Sequence, residues 1–142
     1  MADIERIITD CMVRLVRQAP WGPNRPQLEE QAKALDAEAQ VERGWDNYST
    51  AAHLEWQAEM HRLAAEVRFP REGDHLVERM RQEVQTSLKA ILNNDEIDED
   101  VGERTRVFRS GLAMAIDQTI AGMDEDEIRA ELGIGKTTVF TP

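Results

Sequence analysis

The chain has 142 residues, with 28 acidic and 17 basic side chains, a formal net charge of −11 and a single cysteine. This length suits one domain that buries a core without disulfides or metals. One cysteine excludes an internal disulfide framework and a multi-cysteine zinc site. The negative charge disfavours a broad nucleic-acid groove and an anionic membrane surface, because binding to either depends on lysine and arginine.

The sequence carries no recognisable targeting or membrane segment. Asp3 and Glu5 lie where a signal peptide would carry basic residues. No apolar run approaches the roughly 20 residues that span a bilayer. We therefore expect a cytoplasmic protein that does not contact membranes.

The first predicted helix covers residues 4–16, where apolar side chains recur at spacings of three and four. Asp3 is its expected N-cap. The stripe consists of Ile4, Ile7, Ile8, Cys11, Met12, Leu15 and Val16. Three prolines between residues 20 and 26 then predict a rigid connector, because proline interrupts both helices and sheet ladders.

The second and third helices are predicted on either side of Gly44. Pro26 fits the first turn of the second helix, whose seam is formed by Leu28, Ala32, Leu35 and Ala39. Ser49 or Thr50 is the expected cap of the third helix, which Phe69 and Pro70 end. The predicted inward face of that helix consists of Ala52, Trp56, Met60, Leu63, Ala64 and Val67.

Three further helices are predicted in the second half. Asp74 is the expected cap of the fourth, whose inward residues are Leu76, Val77, Met80, Val84, Leu88, Ile91 and Leu92. The fifth carries Val101, Thr105, Phe108, Leu112, Ala115, Ile116 and Ile120, with Gly111 at a close helix contact. Asp124 and Glu127 form a capping box for a short sixth helix, which ends at Gly133 before an extended tail.

These elements predict an all-α fold, an irregular bundle of five to six helices with a short C-terminal helix and an extended tail. Residues 1–142 are expected to form a single domain. The alternative is a helical core over residues 1–92 with an acidic appendage over residues 93–142, because this last segment holds 12 acidic and 5 basic residues.

The C-terminal segment contains two nucleotide-related patterns. Residues 130–137 fit a relaxed phosphate-binding loop, but a P-loop follows a strand and precedes a helix, and this segment does neither. Residues 126–140 resemble the helix-turn-helix of resolvase-type bacterial DNA-binding domains. That resemblance implies packing by Ile128, Leu132, Ile134 and Val139. It implies a DNA-reading helix that begins with Gly135, Lys136, Thr137 and Thr138, although Arg129 replaces the family's usual small alanine.

A run of acidic residues between the fourth and fifth helices is a candidate docking surface for a basic partner. Its members are Asp95, Glu96, Asp98, Glu99 and Asp100, joined by Asp124 and Asp126 on the sixth helix. The alternative is a solvated loop, which is the commoner meaning of a charge run. The run does not match the ligand order of an EF-hand calcium loop.

Trp21 and Trp45 lie in predicted loops, where a tryptophan either plugs the end of a bundle or anchors a partner. Burial statistics favour plugging. We retain both residues as candidate partner contacts, and we place Trp56 in the core.

Candidate catalytic and metal-binding groups do not form a recognisable site. His53 and His61 are eight residues apart, which matches neither the zincin nor the ferritin-like spacing. Cys11 lies on an apolar stripe with no histidine near it in sequence. We therefore expect no catalytic residues, no metal and no cofactor.

The sequence thus favours a non-enzymatic acidic protein that acts through protein–protein interaction, as an adaptor, an assembly component or an inhibitor of a basic, nucleic-acid-binding partner. Homo-oligomerisation is a further expectation that the sequence leaves open. The alternative is a DNA-associated regulator that uses residues 126–140.

Overall fold

The computed structural model describes residues 4–19, 22, 24–93 and 102–133. Within these residues the backbone forms six α-helices and no strand, which confirms the predicted irregular all-α bundle with a short C-terminal helix. The helices are α1 (Ile4–Val16), α2 (Arg25–Gly44), α3 (Tyr48–Arg68), α4 (Leu76–Leu92), α5 (Glu103–Ile120) and α6 (Glu125–Glu131). The predicted extended tail, the cap Asp3 and Val101 lie outside the described residues.

Four helices surround the main apolar core. Each of α1, α3, α4 and α5 packs against the other three. Each contributes at least one fully buried side chain, as Leu15, Met60, Val84 and Ile116 illustrate. Ile128 of α6 belongs to the same core. The three-and-four spacing of apolar residues therefore places α1 and α4 as predicted.

The second helix contributes Leu28 to this core and pairs with α3 in an antiparallel helical hairpin. The buried residues of the pair include two series of alanines spaced by seven, Ala32 and Ala39 on α2 and Ala51, Ala58 and Ala65 on α3. Small side chains at a helix contact let the two axes approach closely. Packing of alanines therefore joins α2 and α3 along the length of the hairpin.

The open end of the hairpin is fixed by Arg25, at the start of α2. Its guanidinium donates two parallel hydrogen bonds of 2.7 Å to Asp74, one of 2.8 Å to Glu29 and one of 3.0 Å to the carbonyl of Phe69. A bidentate arginine–carboxylate pair fixes geometry as well as charge. The pKa of Asp74 falls from 3.8 to about 2, mainly through Arg25 and then through the backbone N–H of Arg71.

Two predicted helix caps are wrong. Asp74 does not cap α4, since its carboxylate is held by Arg25 and by the N–H of Arg71, and the helix begins two residues later. Neither Ser49 nor Thr50 caps α3, because the helix already begins at Tyr48. At the start of α2, Asn24 provides the cap by accepting a 2.9 Å hydrogen bond from the N–H of Gln27.

Two predicted inward positions are also wrong, at helix ends where the stripes leave the core. Val67 in the last turn of α3 is 45% exposed, and Thr105 in the first turn of α5 is exposed. The cap of α6 is confirmed, because Asp124 accepts a 3.0 Å hydrogen bond from the N–H of Asp126. Gly133 ends that helix as predicted, with a positive φ of 70°.

Candidate functional site

The closed end of the α2–α3 hairpin carries three exposed apolar side chains beside two acidic ones, and we call these five residues the hairpin tip. Its residues are Val41, Glu42, Trp45, Asp46 and Tyr48. Trp45 is 76% exposed, Val41 59% and Tyr48 49%. Val41 and Trp45 are four residues apart at the end of α2, so they share one side of the helix. The tip therefore presents one of the largest side chains in the chain to solvent.

The turn beneath Trp45 is tightly hydrogen bonded. The backbone N–H of Asn47 donates to the carbonyl of Glu42 at 2.9 Å, and the Asn47 amide group donates to the Glu42 carboxylate at 2.7 Å. The hydroxyl of Tyr48 donates to Asp46 at 3.0 Å. Asp46 has a left-handed φ of 61°, a conformation that aspartate adopts more readily than most residues. These bonds hold the turn in one shape.

The base of the tip is joined to the bundle by an ion-pair network around Glu55 of α3. Arg43 of α2 pairs with Glu55, and Arg104 of α5 lies 3.5 Å from the second oxygen of the same carboxylate. The Glu55 side chain is largely buried. The network therefore connects α2 and α3 to α5 near the closed end of the hairpin.

The charge around Trp45 is negative. Glu38 and Asp46 are exposed and Glu42 is half-buried, whereas the one basic residue of this stretch, Arg43, is neutralised by Glu55. An exposed indole face and nearby carboxylates both attract cations, the first through its π electrons and the second through charge. The tip is thus chemically suited to an apolar surface that carries arginine or lysine.

The predicted plugging role is wrong for Trp45. A plugging indole would be covered by the ends of the helices, but the turn directs Trp45 away from them. Trp21, the other loop tryptophan, lies outside the described residues. Trp56 is buried in the core as predicted, only 7% exposed.

The structure describes two of the seven acidic residues that were predicted to contact a partner. Asp124 and Asp126 are both exposed on the first turn of α6, where Asp124 also serves as the cap. The other five, Asp95, Glu96, Asp98, Glu99 and Asp100, lie outside the described residues. No hydrogen bond or ion pair between described residues joins Asp124 or Asp126 to the hairpin tip.

The helix-turn-helix resemblance falls largely outside the described residues, which exclude Gly135, Lys136, Thr137 and Thr138. Ile128 and Leu132 are buried, as the resemblance implies. Arg129 is buried as well, 6% exposed, and its Nη2 lies 3.8 Å from Glu125. DNA binding by this segment stays a prediction.

The two histidines of α3 each use one ring nitrogen within their own helix. His53 Nδ1 lies 2.8 Å from the carbonyl oxygen of Ser49, and His61 Nδ1 lies 2.6 Å from that of Gln57. Among the described residues, no group of three or more histidine, cysteine, aspartate or glutamate side chains is arranged to hold a metal ion.

Cys11 is fully buried on α1. Burial raises the pKa of its thiol, although a hydrogen bond with Thr119 opposes this shift. Since the thiolate is the nucleophilic form, the surroundings of Cys11 disfavour a nucleophilic role.

Sequence reasoning identified Trp45 but missed Val41, Asp46 and Tyr48 beside it. One signal was available, because Val41 does not lie on the apolar seam of α2 and precedes Trp45 by four residues. An apolar residue off the seam of an outer helix faces away from the core. Read together, these two residues predict an exposed patch.

No helix among the described residues is both long enough and apolar enough to cross a bilayer. Comparisons of the chain with protein-family models, with curated proteins and with solved structures find no match.

Proposed function

We propose that this protein is a non-enzymatic interaction protein that binds a basic protein partner through the hairpin tip. The observation that carries the proposal is Trp45, 76% exposed on a hydrogen-bonded turn. Tryptophan is enriched among the residues that dominate the energy of protein interfaces. Exposed apolar patches that are bordered by polar residues are typical of protein interaction sites.

The rigidity of the turn supports this role. Because Asn47, Glu42, Asp46 and Tyr48 already fix the backbone and its neighbours, little conformational entropy is lost when a partner covers Trp45. The partner's surface would contain an apolar hollow for the indole, bordered by arginine or lysine facing Glu42 and Asp46. We therefore place the acidic docking function at the hairpin tip.

The direct test compares W45A with wild type in capture of partners from the native host extract. Val67→Ala is the matched control, because Val67 is an exposed apolar residue at the opposite end of α3. We expect wild type and V67A to capture a basic protein that W45A does not capture. With that partner purified, W45A should bind it at least tenfold more weakly than wild type. Equal capture by wild type and W45A would overturn the assignment of the tip.

The charge of the partner is tested by salt. Raising the ionic strength from about 0.1 M to about 1 M shortens the Debye length from about 10 Å to about 3 Å. We expect the association rate of the purified complex to fall with added salt, and E42Q and D46N to reduce this dependence. An association rate indifferent to salt contradicts a basic partner.

Self-association through the same tip is distinguished by sedimentation of the purified protein. If wild type forms a dimer that W45A does not, the partner is a second copy of this acidic chain, and the proposal of a basic partner is wrong. We expect the same sedimentation coefficient for both proteins across the accessible concentration range.

A further inference from the structure

A cleft of about 690 Å³ lies between the end of α1, the first half of α3 and α5. This volume falls within the range of small-molecule pockets, which is about 300–1,000 Å³. Its apolar part is formed by Trp56, Val107, Met114 and Ala115. Its polar part includes Arg14, Gln18, His53, Arg106 and Ser110. We call it the Trp56 cleft.

Gly111 shapes the apolar side of the Trp56 cleft. A Cβ atom at this position would lie 2.4 Å from Cζ2 of Trp56, so the absence of a side chain lets α5 approach the indole ring. Met114, one turn further along α5, is 60% exposed at the same cleft. An apolar ligand would cover this methionine.

Arg14 is held in place at the rim. Its Nε donates a 3.1 Å hydrogen bond to the hydroxyl oxygen of Thr119, which in turn donates a 2.7 Å bond to the carbonyl of Ala115. Thr119 is buried, so α5 orients the guanidinium, and no hydrogen bond from its two terminal nitrogens is found among the described residues. None of the carboxylates in the described part of the chain forms an ion pair with Arg14.

Nine arginines of the described part of the chain form an ion pair with a carboxylate, and Arg14 is not among them. The other basic residue of the rim, Arg106, has its Nη1 3.5 Å from Glu103. The rim therefore offers one oriented guanidinium that no described carboxylate engages, and its planar fork matches the geometry of a carboxylate.

We propose that the Trp56 cleft binds a small amphipathic carboxylate, with its apolar part on Met114, Val107 and the small exposed part of Trp56, and its carboxylate on Arg14. One guanidinium without a carboxylate partner among the described residues matches a singly charged group. A phosphate monoester carries nearly two negative charges at neutral pH, and the Glu103 carboxylate in the lining would repel the second. This ligand site does not depend on the partner proposed for the hairpin tip.

The test is isothermal titration calorimetry of the full chain with 2-naphthoate and with decanoate, alongside the neutral analogue 2-naphthamide. We expect both carboxylates to bind and the amide to bind at least tenfold more weakly. R14Q should weaken naphthoate binding about tenfold, which corresponds to about 1.4 kcal/mol. Arg17→Gln is the matched control, because Arg17 is an exposed arginine of the same region that does not line the cleft.

A second pair of variants tests the apolar side without touching Arg14. M114E places a carboxylate beside the ligand and should weaken naphthoate binding more than M114Q does, although both changes lie at an exposed position. Three results would each overturn the proposal: no heat with either carboxylate, equal affinity for naphthoate and naphthamide, or equal effects of R14Q and R17Q.

The naphthoate-binding test of the Trp56 cleft can be distinguished from the partner-capture test of the hairpin tip. W45A should bind naphthoate like wild type, because Trp45 does not line the Trp56 cleft. Loss of partner capture with intact naphthoate binding would leave this proposal standing and would concern the tip alone.

Discussion

Trp45 and Trp56 lie eleven residues apart, and the surroundings of the two indoles are opposite. The Trp56 N–H donates a 2.8 Å hydrogen bond to Gln18, and its ring meets Phe108 edge-on with centroids 5.1 Å apart. Trp45 is 76% exposed against 7% for Trp56. One tryptophan thus contributes its apolar area to folding, whereas the other keeps that area available for a partner.

This difference arises from the turn between α2 and α3. Trp56 lies on the side of α3 that faces α5, so the four-helix core covers it. Trp45 follows Gly44 in a turn that no other described helix covers. The same residue type therefore serves stability at one position and, by our proposal, recognition at the other.

The largest expected effect is on Trp56. W56A removes a buried indole and leaves a cavity, so it should lower the free energy of unfolding by about 3–5 kcal/mol. W45A should change it by less than about 0.5 kcal/mol, as is usual for surface positions. Urea unfolding followed by circular dichroism measures both. Comparable losses in the two variants would mean that Trp45 packs against the bundle after all.

A smaller effect is expected at Gly111, where α5 crosses Trp56. G111A gains about 1 kcal/mol of helix propensity but forces a Cβ atom into the indole ring, which costs about 1–3 kcal/mol. We expect a net loss of stability in wild type. In a W56L background the ring is gone, and the same G111A change should become stabilising. A double-mutant cycle in urea measures this coupling, and additivity would contradict it.

The third expected effect is on the pH dependence of stability, and it concerns Asp74 at the open end of the hairpin. Its carboxylate has a pKa of about 2 in the folded protein against 3.8 ordinarily, so its contribution to stability is complete above pH 3.8 and is lost as the pH falls through about 2. D74N should therefore be less stable than wild type at neutral pH, and the difference should disappear in acid. Urea midpoints across a pH series check this, with E72Q, a change at an exposed neighbouring carboxylate, as the control.

The sequence predicts the elements whose determinants are local. The apolar stripes of α1 and α4, the cap at Asp124 and the close contact at Gly111 all depend on spacing or on one residue's backbone freedom. Each of these predictions is confirmed, because a helix of period 3.6 fixes which side chains share a face.

The failure at Asp74 comes from a contact between residues distant in the chain. Asp74 has the chemistry of a cap, but Arg25, 49 residues earlier, engages its carboxylate. The exposure of Trp45 likewise depends on the direction in which the hairpin turns, which burial statistics for tryptophan do not contain. The hydrogen bond from Arg14 to Thr119 could not be predicted either, because it joins residues that are 105 positions apart in the chain.

The smallest expected effect on stability is at Asp46. This residue lies next to Trp45, so its variants also test how the turn supports the exposed tryptophan. D46A keeps a Cβ atom at the left-handed φ of 61° and loses the bond from Tyr48, so it should cost about 1 kcal/mol. D46G loses the same bond without the steric cost and should be closer to neutral. Yet D46G frees the turn beneath Trp45, so ordering the tip on binding becomes more costly and partner affinity should fall. Urea unfolding and affinity measured side by side separate the two effects. If D46G binds the partner as tightly as D46A, which loses the same carboxylate and the same bond from Tyr48, the rigidity of the turn has no part in recognition.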